Sequence, residues 1–227
     1  CLPPPASLRT IPAGLDFASA AAMGAAYQTA YVALVEIGGL RAGQTVLVHG
    51  ASGGVGLAAC DLARAMGAEV IAATRRADKL EQLHTIAKPH AAICNTGRFR
   101  EDVAEITDGR LCDLVFDPIG GDVFDESTRC VTFGGKLLVI GFVSGRILEI
   151  AVNIPLIKGF SVVGVRAGEY GRRFPDRGAR IADAIDRLAQ EGRIVPHIDR
   201  RLPLTSWREA FETMQRAEII GKLVLEP

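Results

Sequence analysis

The stretch Val46-Leu-Val-His-Gly50-Ala-Ser-Gly53-Gly54-Val-Gly56 constrains the fold of this 227-residue chain more than any other. A short apolar run ends in a glycine turn, and a helical pattern from Leu57 to Met66 follows at once. Glycines spaced as Gly50-x-x-Gly53-x-x-Gly56 let a chain turn sharply off a strand and lie close to a pyrophosphate. The free amides of the new helix then face the anion. The spacing is not the usual Gly-x-Gly-x-x-Gly, so a second reading stands beside dinucleotide binding: a purely structural strand-to-helix turn.

The rest of the chain supplies a setting for such a turn. Asp16 caps a predicted helix over Phe17 to Met23, and a longer one runs from Ala25 to Ile37, broken by Gly38-Gly39. Strands are expected at Val46 to His49, Glu69 to Thr74, Ala91 to Cys94, Leu114 to Asp117 and Lys136 to Gly141. Helices alternate with them at Gly53 to Met66, Ala77 to Ile86, Arg100 to Thr107 and Val123 to Cys130. Short apolar strands without strict alternation, separated by helices, imply a parallel sheet covered on both faces: an α/β, Rossmann-type doubly wound fold. Strand order is not readable from this pattern. Beyond Phe142 the pattern predicts a short segment at Pro155 to Lys158, a strand at Phe160 to Val165 and a helix at Asp176 to Gln190. A helix at Trp207 to Arg216 and a strand at Gly221 to Leu225 follow. This tail either extends the same sheet or packs on a neighbouring domain. Cys1-Leu-Pro-Pro-Pro5 reads as a rigid extended linker.

Composition narrows the function. With 26 basic and 26 acidic residues, nothing general draws the chain to nucleic acid or to an acidic membrane surface. Cys1, Cys60, Cys94, Cys112 and Cys130 form no Cys-x-x-Cys pair and sit in or beside apolar runs. That suits free thiols in a reducing, cytoplasmic compartment. His49, His84, His90 and His197 lack metal-ligand spacing, so no metal site is expected. Ser52 is not in a Gly-x-Ser-x-Gly elbow and no Lys-Ser/Thr pair follows the glycines, which disfavours a serine hydrolase and a P-loop.

In a dinucleotide fold the end of the second strand lies beside the adenosine ribose, where a carboxylate would accept from free hydroxyls. Here the strand ends Thr74-Arg75-Arg76, with Lys79 one helical turn beyond Arg75. Guanidinium groups suit a 2′-phosphate and favour NADP(H) over NAD(H); the alternative is a solvated basic patch. Asp117 closes the fourth strand before Pro-Ile-Gly-Gly121, either acting on a ligand or forming the turn. Gly141 and Phe142 end the fifth strand at the carboxyl edge of the sheet, with the Gly141 amide either near a cofactor carboxamide or merely in a turn. Tyr27 and Thr29 lie on the apolar helix upstream of the glycine turn, and packing or a backbone hydrogen bond explains them as well as catalysis does.

Taken in order, several motifs resemble one family. They are Tyr27-Gln-Thr-Ala-Tyr31, Val48-His-Gly-Ala-Ser-Gly-Gly-Val-Gly56, Phe116-Asp-Pro-Ile-Gly-Gly121, Gly134-Gly-Lys-Leu-Leu-Val-Ile-Gly141, Asn153-Ile-Pro-Leu-Ile-Lys158 and Gly221-Lys-Leu-Val-Leu225. Over nearly its whole length the chain is similar to the quinone oxidoreductase, zeta-crystallin-like branch of the medium-chain dehydrogenase/reductase superfamily. The resemblance implies NADPH bound between a cofactor domain and a GroES-like barrel domain, without zinc, and hydride transfer to a quinone or activated enone. It places Gly53, Gly54, Val55 and Gly56 at the pyrophosphate, and Thr74, Arg75, Arg76 and Lys79 around the 2′-phosphate. Thr29, with Tyr27 beside it, falls near the nicotinamide. Asp117, Gly141, Phe142 and Lys222 complete the cofactor set, and the strand within 160–165 is implied to join two copies in a homodimer.

The resemblance also implies that most of the barrel-like domain lies before Cys1. Residues 1–24 are then a linker with a residual catalytic-domain segment, 25–165 the NADPH-binding domain, and 166–227 C-terminal helices returning to a truncated GroES-like domain. Two alternatives share the cofactor: an enoyl-thioester reductase, and a non-enzymatic, crystallin-like NADPH-binding protein.

Overall fold

The computed structural model describes residues 8–227, so the expected linker at Cys1 to Pro5 lies outside the described residues. A six-stranded sheet forms the centre. In chain order its strands are β1 (Thr45–His49), β2 (Glu69–Thr74), β3 (Ala91–Cys94), β4 (Cys112–Asp117), β5 (Val131–Val139) and β6 (Ser161–Gly164). They lie side by side as β3-β2-β1-β4-β5-β6, every neighbouring pair parallel. Alternate residues of each strand feed opposite faces. Val46, Val48, Val70, Ala72, Leu114, Phe116 and Leu138 join one core cluster, while Leu47, Ile71, Ala73, Ile93, Val115 and Leu137 join the other. Burial on both faces is why these strands read as unbroken apolar runs.

The first cluster is covered by α1 (Phe17–Tyr31), α2 (Gly54–Ala65), α3 (Leu80–Ala87) and α8 (Pro175–Gln190), the second by α4 (Arg100–Ile106), α5 (Gly121–Ser127) and α6 (Asn153–Lys158). Asp16 caps α1 as expected, its Oδ1 accepting from the Ser19 amide at 2.8 Å. The expected interruption before Ala25 is absent. α1 runs straight through Gly24 and passes into a wider π-helical turn over Val32–Ile37. Ala18, Ala22, Met23, Ala26, Tyr27 and Ala30 form one buried stripe along α1, and Gly24 sits on the solvent side. The continuous stripe outweighs the low helix propensity of one glycine.

Two further elements depart from expectation. α5 begins at Gly121, earlier than Val123, because Gly120 adopts φ 73° and Asp117 gathers the loop amides just before it. β5 starts at Val131 because its first residue already pairs with Cys112 across an irregular register.

The tail does not extend the main sheet. α7 (Ala167–Arg173) packs on α8 and α1, while β7 (Ile198–Pro203) and β8 (Lys222–Glu226) make a separate parallel pair with α9 (Trp207–Gln215) beside β7. This unit touches the glycine turn through a bridge between Gly53 and Gly221, in which the Gly221 amide donates to Ser52 O at 2.9 Å. Cys60, Cys94, Cys112 and Cys130 are free thiols. Among the described residues no helix is long and apolar enough to cross a membrane.

Candidate functional site: a nucleotide cleft at the switch point

Between β1 and β4 the strand order reverses direction, and a crevice opens beyond the carboxyl ends of the two strands. A cleft of about 850 Å³ occupies that point, lined by Gly50 and Ser52 to Gly56 on one side and Pro118, Ile119 and Val143 on the other.

The three glycines of the spacing do different work. Gly50 turns the chain at φ 62°. A Cβ on Gly56 would stand 2.2 Å from Gly50 O, so only glycine lets α2 pack this tightly on the turn. Gly53 caps α2 without a side-chain hydrogen bond, and its own amide donates to Gly50 O at 2.8 Å. The first helical bond runs from the Leu57 amide to Gly53 O, which leaves the amides of Gly54, Val55 and Gly56 without helical acceptors at the cleft wall. The side chain of Lys222 covers Gly54, its Cε only 2.6 Å from where a Cβ would stand. These amides, the helix dipole and the bare backbone fit a bound pyrophosphate.

Beyond the turn the cleft passes Thr74, Arg75, Arg76, Asn95, Thr96, Arg216 and Ala217. Thr74 Oγ1 and Ser52 Oγ lie 3.2 Å apart in a hydrogen bond that ties the end of β2 to the turn. Arg76 is held as a fork by Asp78, at 2.7 and 2.6 Å, and Arg216 is held by Glu218 at 2.6 Å. Arg75 makes no ion pair among the described residues. The expected Lys79 is placed elsewhere. It is buried, and its Nζ donates to Ala217 O at 2.5 Å and Ile219 O at 2.7 Å. Lys79 thus fastens the loop that brings Arg216 to the cleft. Arg216 was not legible in the sequence, since it joins Arg75 and Arg76 only through the return of the chain.

Asp117 is fully buried behind Pro118 and Ile119. Its Oδ1 accepts from the amides of Ile119 at 2.8 Å and Gly120 at 2.9 Å, the turn-forming alternative. Its Oδ2 has no partner among the described residues, and burial pushes the carboxyl upward against the pull of those two amides. Gly141 lies just past β5, and Phe142 is partly exposed beside Gly120. The cleft wall at this end comes from Val143. Thr29 Oγ1 donates back to Ala25 O at 2.8 Å, and Tyr27 donates to Asp61 Oδ2 at 2.7 Å. Burial pushes the Tyr27 phenol upward, and Asp61 also accepts from the Val195 amide, so this tyrosine joins α1, α2 and the tail.

A buried polar chain under the cleft floor is also absent from the expected set. Ser127 Oγ donates to Val123 O at 2.6 Å, so it accepts from the protonated Nε2 of His49 at 2.7 Å. Asn95 Nδ2 then donates to His49 Nδ1 at 2.9 Å, while Asn95 Oδ1 has no partner among the described residues. Burial pushes the His49 imidazole down to about 3, so it is neutral.

This cleft at the switch point accompanies a sequence match: residues 54–194 fit the family model described as zinc-binding dehydrogenase. The chain belongs to the zinc-binding dehydrogenase family. Its homology extends to quinone-oxidoreductase-like members. It is 34% identical over 227 residues to the quinone oxidoreductase-like protein 2 homolog of Nematostella vectensis, covering 99% of this chain and 62% of that protein. It superposes on the crystal structure of a probable oxidoreductase from Mycobacterium abscessus with a TM-score of 0.85 and 34% identity, over 96% of this chain and 65% of that one. The JamJ enoyl reductase aligns with a TM-score of 0.84 and 25% identity, over 95% and 65%. The chain therefore spans just under two thirds of the length of these proteins. Despite the zinc in the family's description, the described residues contain no group of three or more His, Cys, Asp or Glu side chains placed to hold a metal ion.

Proposed function

We propose that this chain is the cofactor-binding part of an NADPH-dependent oxidoreductase that reduces a quinone or an activated enone. The observation that carries this reading is the cleft itself. Unpartnered amides at the start of α2 meet a rim bearing Arg75, Arg76 and Arg216, and no carboxylate lines the cleft at the end of β2. When bound, a reduced nicotinamide supplies a hydride to an electrophilic carbon or ring. Gly54, Val55 and Gly56 hold the pyrophosphate by their amides. The guanidinium groups accept a 2′-phosphate in place of ribose hydroxyls, while Pro118, Ile119 and Val143 wall off water from the far end. Residues 25–165 form the NADPH-binding unit in this reading. The edge strand β6, with its largely exposed face, pairs two copies.

Fluorescence titration with NADPH and NADH tests the cofactor. We expect NADPH to bind about 10- to 100-fold more tightly, with the difference abolished in Arg75→Ala/Arg76→Ala, since each lost charge-assisted contact costs on the order of 1.5–3 kcal/mol. Equal affinities that the double substitution leaves unchanged would overturn the phosphate role. A second reading, reduction of an enoyl thioester, is favoured by the likeness to the JamJ enoyl reductase. Steady-state rates of the complete polypeptide on quinones and on enoyl thioesters separate the two.

A further inference from the structure

A second cavity of about 670 Å³ lies at the amino ends of β4 and β5, the opposite edge of the sheet from the nucleotide cleft. Arg100, Arg110, Arg129 and Lys158 line it together with Leu111 and Phe133, and no carboxylate does. Arg110 is already engaged, donating to Thr45 Oγ1 at 2.7 Å and lying 3.7 Å from Glu69. Arg100, Arg129 and Lys158 make no ion pair among the described residues. Lys158 Nζ donates only to Thr128 O, at 3.2 Å. Its ammonium is held below the ordinary range, by burial first and then by the charges of Arg129 and Arg100, so the three cations share one field. Glu126, which pulls the other way, is not part of the lining.

Leu111 in the cavity wall takes left-handed backbone at φ 65°, a costly conformation for a leucine. The ring of Phe133 rests on Gly159, where a Cβ would come within 2.2 Å of it, yet Phe133 is 85% exposed. An aromatic ring thus stands at the rim of a positive cavity.

We propose that this cavity binds a phosphate monoester, the dianionic phosphoryl group set among Arg100, Arg129 and Lys158 and its organic group against Phe133 and Leu111. Guanidinium forks match phosphoryl oxygens in pairs, and a dianion offsets more of the repulsion among three cations than a carboxylate does. This cluster occupies one cavity on a chain with balanced total charge, which suits a small ligand better than a nucleic acid.

Phenyl phosphate titrated into the isotope-labelled 227-residue chain, followed by amide chemical shifts, tests this. Saturable shifts are expected at Gly109, Leu111 and Thr132. Affinity falls about tenfold in either Arg129→Gln or Lys158→Met, as loss of one charge-assisted contact requires. Shifts at Gly54 to Gly56 report the other cleft, and these two substitutions leave them unchanged. Phenyl phosphate binds at least about tenfold more tightly than inorganic phosphate if the aromatic wall contributes its buried area. Shifts confined to Gly54 to Gly56, shifts reproduced by sodium chloride at matched ionic strength, or undiminished binding by the two variants would each overturn the site. Equal affinity for inorganic phosphate would overturn the monoester assignment.

Discussion

Gly24 and Gly56 show how differently two helical glycines behave. A Cβ on Gly56 meets the backbone of Gly50 and Ala51, at 2.2 and 2.9 Å, and neither has room to retreat. Gly56→Ala is therefore expected to destabilise the fold by about 1–3 kcal/mol in denaturant melts and to weaken nucleotide binding. A Cβ on Gly24 meets nothing within 4 Å. Gly24→Ala should stabilise by about 0.5–1 kcal/mol through helix propensity and a less flexible unfolded chain. His49 carries the pH prediction. Its folded value of about 3 lies below its ordinary 6.5, so between these limits the unfolded chain takes up a proton that the folded chain refuses. Stability from this residue is present above pH 6.5 and drains away as pH falls toward 3, by about 1.4 kcal/mol per unit at most. Urea melts from pH 7 to 4 should show that slope, and His49→Gln should flatten it.

Lys79 links one element to another. Replacing it with methionine leaves the carbonyls of Ala217 and Ile219 without their donor and frees the loop between α9 and β8. The cost is about 1–3 kcal/mol, and hydrogen exchange at residues 216–221 should quicken. NADPH preference should weaken as well, although Lys79 itself lies outside the cleft lining. The sequence made Lys79 look like a phosphate ligand because it follows Arg75 by four residues. A 3₁₀ turn over Ala77–Lys79 aims it into the protein instead. The strands Glu69–Thr74 and Ala91–Cys94 were legible to the residue because the flanking turns interrupt their apolar runs. β7 and α7 were not, since Ile-Asp-Arg-Arg-Leu-Pro and Ala-Gly-Glu-Tyr-Gly-Arg-Arg carry no clear apolar period. The His49–Asn95–Ser127 chain was equally hidden. Its members sit far apart in sequence, and only the fold brings together the end of β1, the residue after β3 and the end of α5.

For the molecule as a whole, one group of exposed apolar side chains lies where the sheet ends. Leu156, Ile157 and Val162 are all exposed around the β6 edge. If that edge joins two copies, sedimentation should give a dimer, and Val162→Lys should return a monomer with its nucleotide affinity intact. A monomer for the unaltered chain would remove this role.

The bridge between Gly53 and Gly221 has a consequence for the order in which the protein is made. Arg216, the acceptors of Lys79 and the Gly221 contact leave the ribosome about 160 residues after the glycine turn, which ends at Gly56. The rim of the cleft is therefore finished long after its turn has been made. Until then a nascent chain exposes the turn without its lid of Lys222 or its third arginine, and a cofactor meets the finished rim only once Lys222 has emerged.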